Sequence, residues 1–188
     1  GIPFELTPTD GVNGVITPGT QFRWAAPTGI GISNGTTQTS YVPSVFGLLN
    51  NTTNITRTAT YKVIANVPFC GEVTSFTVTI FVNPIVAINT ITAVTCSEFT
   101  FTVNPTDLVN GIVPAGTTYT WSMPVAPNIT GGAEQTTPVT SIVGYLRNQT
   151  SSVQTATYTV TPTAPICGVG NPFTLVVTVK DRKSTRLN

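Results

Sequence analysis

The sequence predicts an all-β protein built of two tandem β-sandwich repeats, and three observations carry that prediction. Shifting the chain by 97 residues aligns it with itself without a gap, pairing Phe4 with Phe101, Trp24 with Trp121, Tyr61 with Tyr158, Cys70 with Cys167 and Phe76 with Phe173. Roughly forty per cent of the aligned positions are identical, and a unit of this length is too long for a solenoid repeat but the usual size of a sandwich domain. Charged residues make up 8% of the chain, and Thr accounts for about a fifth of it, a bias toward strand formers and away from helix formers. Finally, apolar residues alternate with polar ones, as in Gly116-Thr-Thr-Tyr-Thr-Trp121 and its copy Gly19-Thr-Gln-Phe-Arg-Trp24. That alternation sends Tyr119 and Trp121, or Phe22 and Trp24, to one face of a strand whose other face is wet.

Each element follows from local chemistry. Phe4 to Pro8 reads as a strand that Pro8 stops, since proline cannot donate to a ladder. The stretch from Thr9 to Gly14 contains Asp-Gly and Asn-Gly, which accept the positive φ of tight turns, and Pro18-Gly19 adds a second reversal. Gln21 to Ala25 is the aromatic strand. Thr28 to Thr39, rich in Gly, Ser, Thr and Asn, reads as a long variable loop. Tyr41 to Leu49, interrupted by Pro43 and Gly47, reads as a single bent or edge strand, followed by a turn at Asn50 to Asn54. Thr58 to Ala65 alternates Ala59, Tyr61 and Val63 against Thr58, Thr60 and Lys62 as a half-buried strand. Phe76 to Val82, with Phe76, Val78, Ile80 and Val82 on one face, and its copy from Phe173 to Val179 are closing strands with an apolar inward face.

Asn83-Pro84 marks the boundary. Ile85 to Val94 reads as a further strand leading into Cys96, and the first repeat has no counterpart to it, because the shift carries Cys96 to a position before residue 1. The domain reading is therefore 1–83, a repeat lacking its first strand; 84–180, a complete repeat; and 181–188, a non-native tail. That tail, Asp181 to Asn188, holds four of the fifteen charges and back-translates to sequencing-adapter DNA, the alternative being a natural basic tail. The missing strand should leave the first repeat with an open sheet edge, less stable and more prone to associate than the second.

Cys96 and Cys167 lie at the two ends of one repeat in sequence. They are expected to form a disulfide worth roughly 4 kcal/mol by loop closure, which would place the chain in an oxidising, exported setting; two buried free thiols are the alternative. Cys70 would be left unpaired. Zinc is excluded by the absence of His and of closely spaced cysteines, and redox catalysis by the absence of Cys-x-x-Cys.

The pairs Tyr119/Trp121 and Phe22/Trp24 read as core aromatics, with the Trp packed near the disulfide. Tyr61 and Tyr158 read as core residues whose hydroxyls find backbone partners. A second reading makes Trp121 and Tyr119 a sugar-stacking platform, which requires exposed rings. Asp10 and Asp107 fall in matching turns, each followed by an Asn, and read as turn caps, with a calcium site as the weaker alternative because one carboxylate per turn is few for an ion taking six to eight ligands. Asn-x-Thr triplets at Asn34, Asn51, Asn54, Asn128 and Asn148 are expected by chance in so Asn- and Thr-rich a chain, and matter only where such sites are glycosylated. The acidic residues are single and no His is available as a base, so no catalytic residues and no cofactor are expected. Near-zero net charge gives no support to nucleic-acid binding, and no apolar run approaches a membrane span.

Four motifs recur in order in both copies: Phe101 to Gly111, Gly116 to Trp121, Gln154 to Pro162 and Phe173 to Val179. On these the chain resembles the PKD-like repeats of large secreted surface proteins of Bacteroidetes-type bacteria, over nearly everything from Phe4 to Lys180. The resemblance implies an immunoglobulin-like β-sandwich in each repeat, a tandem array in an exported protein, roles in adhesion, gliding or display, and the pairing of Cys96 with Cys167. One departure is clear: the Trp-x-Phe-Gly-Asp-Gly signature of ordinary PKD domains is missing, since Trp24 precedes Ala-Ala-Pro and Trp121 precedes Ser-Met-Pro. The expected function is a non-catalytic extracellular structural or adhesive segment of a bacterial surface protein, stiffened by the short Asn83-Pro84 junction. Its partners would be neighbouring repeats of the same chain and protein or glycan surface ligands. The alternative is a carbohydrate-binding accessory module of a secreted polysaccharide-degrading enzyme.

Overall fold

A computed structural model describes residues 1–181, all strand, turn and loop, with no helix among them. The tail reading falls almost entirely on residues 182–188, outside the described residues. The chain divides into two compact units, the first running from Gly1 to Pro84 and the second beginning at Ile85.

The first unit contains β1 (Ile2–Leu6), β2 (Gln21–Trp24), β3 (Ile32–Ser33), β4 (Gln38–Val42), β5 (Val45–Asn51), β6 (Arg57–Val67), β7 (Gly71–Glu72) and β8 (Phe76–Val82). One sheet has the order β1-β5-β3; the other runs β4-β2-β6, with β7 and β8 following one another along the far side of β6. The second unit contains β9 (Ala87–Ile88), β10 (Ile91–Cys96), β11 (Phe99–Val103), β12 (Gly111–Ile112), β13 (Thr118–Trp121), β14 (Ile129–Thr130), β15 (Gln135–Val139), β16 (Ile142–Asn148), β17 (Gln154–Ala164), β18 (Gly168–Val169) and β19 (Phe173–Lys180). Its sheets are β11-β16-β14 and β10-β19-β17-β13-β15, with a short β9-β12 ribbon beside them. The two packed antiparallel sheets make this an immunoglobulin-like β-sandwich. The parallel pair β10-β19 is the exception to antiparallel order.

The alternation written in the sequence becomes the core. Along β17, Ala156, Tyr158 and Val160 are buried, and along β19 so are Phe173, Leu175, Val177 and Val179. They meet Phe101, Ile142 and Leu146 from the facing sheet. The first unit repeats this with Ala59, Tyr61 and Val63 against Val45 and Leu49.

Two expected elements divide. Tyr41 to Leu49 is two strands on opposite sheets, β4 and β5, because the chain crosses the sandwich at Pro43-Ser44, where a proline unable to donate to a ladder does no harm. Ser44 is buried there and donates to Glu5 Oε1 at 2.6 Å. Ile85 to Val94 also divides, into β9 and β10. The stretch read as a variable loop holds β3 and the start of β4.

Candidate functional site

The aromatic pairs lie inside. Tyr119 is 2% and Trp121 7% exposed, and Phe22 and Trp24 are buried equally. Trp121 Nε1 donates to the Ala133 carbonyl at 3.0 Å, and Tyr119 meets Phe173 edge-on at 6.4 Å. Rings held this way present no open face, so Trp121 and Tyr119 cannot serve as a sugar-stacking platform in this conformation.

Tyr61 and Tyr158 are also buried, with Phe4 and Phe101 against their rings. The expectation that their hydroxyls find backbone partners is corrected: neither has a hydrogen-bond partner among the described residues. Each hydroxyl faces a glycine of the opposite sheet, Gly47 or Gly144, whose missing side chain makes the room. Burial alone pushes the Tyr158 and Tyr119 phenols up to about 12.

The turns containing Asp10 and Asp107 are built alike. Asp10 Oδ1 accepts from the Ile16 amide at 2.8 Å and Asp107 Oδ1 from the Val113 amide at 2.9 Å. Asn13 and Asn110 each accept, through Oδ1, from the amide four residues upstream, at Thr9 and Thr106. The acidic oxygens thus close backbone loops, and no group of three or more His, Cys, Asp or Glu suited to a metal occurs among the described residues.

The cysteines require a correction. Cys70, Cys96 and Cys167 are all free, and no Cys96–Cys167 disulfide is present. The strand register gives the reason. Cys96 pairs with Lys180 at the last residue of β19, whereas Cys167 lies in the turn beyond Ala164, past the opposite end of that strand. At about 3.3 Å per residue the two are on the order of 30 Å apart, while a disulfide needs Cα atoms within about 7 Å. Cys70 lies at the equivalent turn of the first unit, beside Phe69, which is fully exposed at a φ of 65°.

Two features were missed from sequence. Asn51 and Asn148 are buried amides that clamp corresponding corners. Asn148 Nδ2 donates to the Ser152 and Val179 carbonyls at 2.7 and 3.2 Å, and its Oδ1 accepts from the Thr150 amide and hydroxyl. Asn51 makes the same four bonds with Ile55, Val82 and Thr53. These two Asn-x-Thr triplets are therefore structural, with the Thr hydroxyl as part of the clamp. The signal was available, since they alone among the triplets coincide under the 97-residue shift.

The other feature belongs to the first unit alone. Arg23 reaches Glu72 Oε1 at 2.8 Å and Tyr41 at 3.1 Å, the Tyr41 hydroxyl donates to Glu72, and the guanidinium lies over the Tyr41 ring. The hydrogen bonds from Tyr41 and then Arg23 hold the Glu72 carboxyl below the usual range. Its counterparts in the second unit are Thr120, Pro138 and Val169, so the departure from the repeat was its mark in the sequence. All three residues are at least partly exposed, and their hydrogen bonds are largely used among themselves, an arrangement that ties three strands rather than offering a reactive group.

Residues 93–183 match the model of the PKD-like domain family. The second unit is a PKD-like domain. The match begins within β10, at Ala93, and runs through β19, so it takes in strands of both sheets. No curated protein matches the sequence.

Proposed function

We propose that the chain is a non-catalytic segment of tandem PKD-like modules that spaces or presents a binding region on a large extracellular bacterial protein. The observation that carries this reading is the repetition itself: the first unit reproduces the strand pairing, the tyrosine-glycine contact, the asparagine clamp and the capped turn of the PKD-like unit at a constant shift. On this reading the first unit is a PKD-like repeat as well. PKD-like domains typically occur in extracellular proteins and are generally non-catalytic, and no helix among the described residues is long and apolar enough to cross a membrane. The acidic side chains support a structural role: Asp10 and Asp107 close turns and Glu72 is engaged by Arg23 and Tyr41. Adhesion to protein or glycan surfaces, and packing with further repeats, belong to the same proposal.

The accessory-module reading loses its main support with the burial of Trp24 and Trp121. Single-molecule pulling and a glycan-binding panel test the choice together. A spacer gives two separate unfolding events per chain and flat responses across the panel. Saturable affinity for a polysaccharide would overturn it in favour of the accessory module.

A further inference from the structure

The outward face of the larger sheet in the second unit is built mainly of threonine. Along β17 the residues that alternate with the buried Ala156, Tyr158 and Val160 are Thr155, Thr157, Thr159, Thr161 and Thr163. The register continues this face across the neighbouring strands, since residues paired side by side point the same way. Thr118 and Thr120 of β13 pair with Thr163 and Thr161, and Thr174 and Thr178 of β19 pair with Thr159 and Thr155. Thr92 of β10 pairs with Val176, itself the partner of Thr157. Ten threonines thus stand in cross-strand rows, and the one charged residue at an outward place on these four strands is Lys180, at the margin beside Cys96.

Neither the fold nor turn capping accounts for them. Under the 97-residue shift the first unit builds the same sheet with Gln21, Arg23, Lys62, Ile64, Asn66 and Phe81 at six of the ten places, while the inward Ala59, Tyr61 and Val63 match Ala156, Tyr158 and Val160. Threonine outside is therefore a property of this unit and not of the sandwich. Elsewhere threonine hydroxyls bond to the chain, as at Thr117 and Thr150, which hold turns. None of the ten hydroxyls on this face has a hydrogen-bond partner among the described residues, so all of them are left to whatever lies against the face.

We infer that this threonine face binds the surface of an ice crystal. Outward residues of one strand recur about every 6.6 Å and neighbouring strands lie about 4.8 Å apart, close to the two repeats of the oxygen atoms on a prism face of hexagonal ice. Each threonine offers a hydroxyl that both donates and accepts, beside a methyl that displaces mobile water. Its branched Cβ keeps χ1 stiff, so little side-chain freedom is lost when the array is immobilised. Charge points the same way: ice excludes ions, and the rows within the face carry none. A polysaccharide surface would be met by aromatic rings, and the outward places of β10, β13, β17 and β19 hold none. Twist sets the extent of the match. Each strand turns from its neighbour by about 20–25°, so contact is confined to β17 and the strands flanking it, and the effect is slowed crystal growth rather than a large lowering of the freezing point.

The test is an ice-recrystallisation assay on the whole chain, with serum albumin at equal concentration as the reference. The chain should keep ice grains small where albumin lets them coarsen. Thr159→Lys should need on the order of tenfold more protein for the same effect, because the ammonium keeps its own hydration shell between face and lattice. Lys62 holds that place in the first unit, so the fold accepts it; Thr120→Arg, after Arg23, should show the same loss. Thr100→Lys, on the outward face of the other sheet where Thr100 pairs with Tyr145, should act like the unaltered chain. Urea midpoints equal to that of the unaltered chain exclude unfolding as the cause of either loss. The inference is overturned if grains coarsen as they do with albumin, if both face variants keep full activity, or if Thr100→Lys loses as much as they do. Retention on crystalline cellulose without any effect on ice would overturn it too, and would assign the face to a polysaccharide.

Discussion

The Tyr158 hydroxyl faces Gly144 across the second sandwich, 3.2 Å from where a Cβ on that glycine would stand, and the Phe101 ring is closer still at 2.7 Å. Tyr61 and Gly47 stand in the same relation in the first unit, at 3.1 Å. A glycine in the middle of a strand costs stability through backbone freedom, yet here it is the space into which a full phenol fits. Gly144→Ala should therefore destabilise the second unit by about 1–3 kcal/mol through overpacking, read from the urea midpoint. Because the Tyr158 hydroxyl has no partner among the described residues, Tyr158→Phe removes a buried polar atom without breaking a bond and should be neutral or stabilising. Combined with Gly144→Ala it should recover part of the loss; a strictly additive double mutant would argue against the contact.

The same burial sets the alkaline limit. The Tyr158 and Tyr119 phenols are pushed up to about 12, against an ordinary value near 10. Between these values the unfolded chain has released protons that the folded unit retains. Stability from these residues is thus complete below pH 10 and is lost as the pH rises through 12, with a slope of at most about 1.4 kcal/mol per pH unit for each tyrosine. Urea midpoints of the second unit should hold steady from pH 7 to 9 and fall between 10 and 11. Tyr158→Phe should flatten that fall, and an unchanged slope would contradict it.

Burial was the part of this structure most legible in the sequence. The strands β6, β8, β17 and β19 could be read because each alternates over seven residues or more with one apolar face, and the shift repeats that face. The crossing at Pro43-Ser44 could not, because two residues suffice to change sheets and the apolar pattern resumes directly beyond them. The ribbon of β9 and β12 is too short, at two residues each, to leave a period. The misplaced disulfide has a related cause: sequence separation tells how much chain lies between Cys96 and Cys167, not which end of the sandwich each occupies, and that is fixed by the parallel register of β10 on β19. The Arg23–Tyr41–Glu72 cluster joins residues on three strands and becomes visible only once their pairing is known.

The asparagine clamps make a sharper claim on stability. Asn148 is 7% exposed and its amide uses both hydrogens and its oxygen on the chain around it, tying the β16–β17 corner to the end of β19 through the Val179 carbonyl. Asn148→Ala leaves the buried Val179 carbonyl without that partner, at about 1–3 kcal/mol before relaxation, and the more accessible Ser152 carbonyl and Thr150 amide to find water, so a net loss of about 2 kcal/mol is expected from denaturant unfolding. Asn148→Asp should restore little, since a carboxylate can accept the Thr150 bonds but cannot donate to Ser152 and Val179. A loss below about 0.5 kcal/mol, the usual range for surface changes, would show that the clamp is not holding the corner.

The separation of the cysteines leads to a chemical prediction. With Cys70 and Cys96 exposed and Cys167 partly so, a maleimide should modify the first two in the folded chain without denaturant and Cys167 more slowly. On oxidation with oxidised glutathione, in which each protein thiolate displaces one glutathione thiolate to give a mixed disulfide, the monomer should carry glutathione on its exposed cysteines. It should contain no peptide cross-linked between Cys96 and Cys167, because the length of β19 and the end of β17 lie between them. Peptide mapping under non-reducing conditions reads this directly. A Cys96–Cys167 cross-link within one folded monomer would mean that β10 does not lie along β19 in the register described.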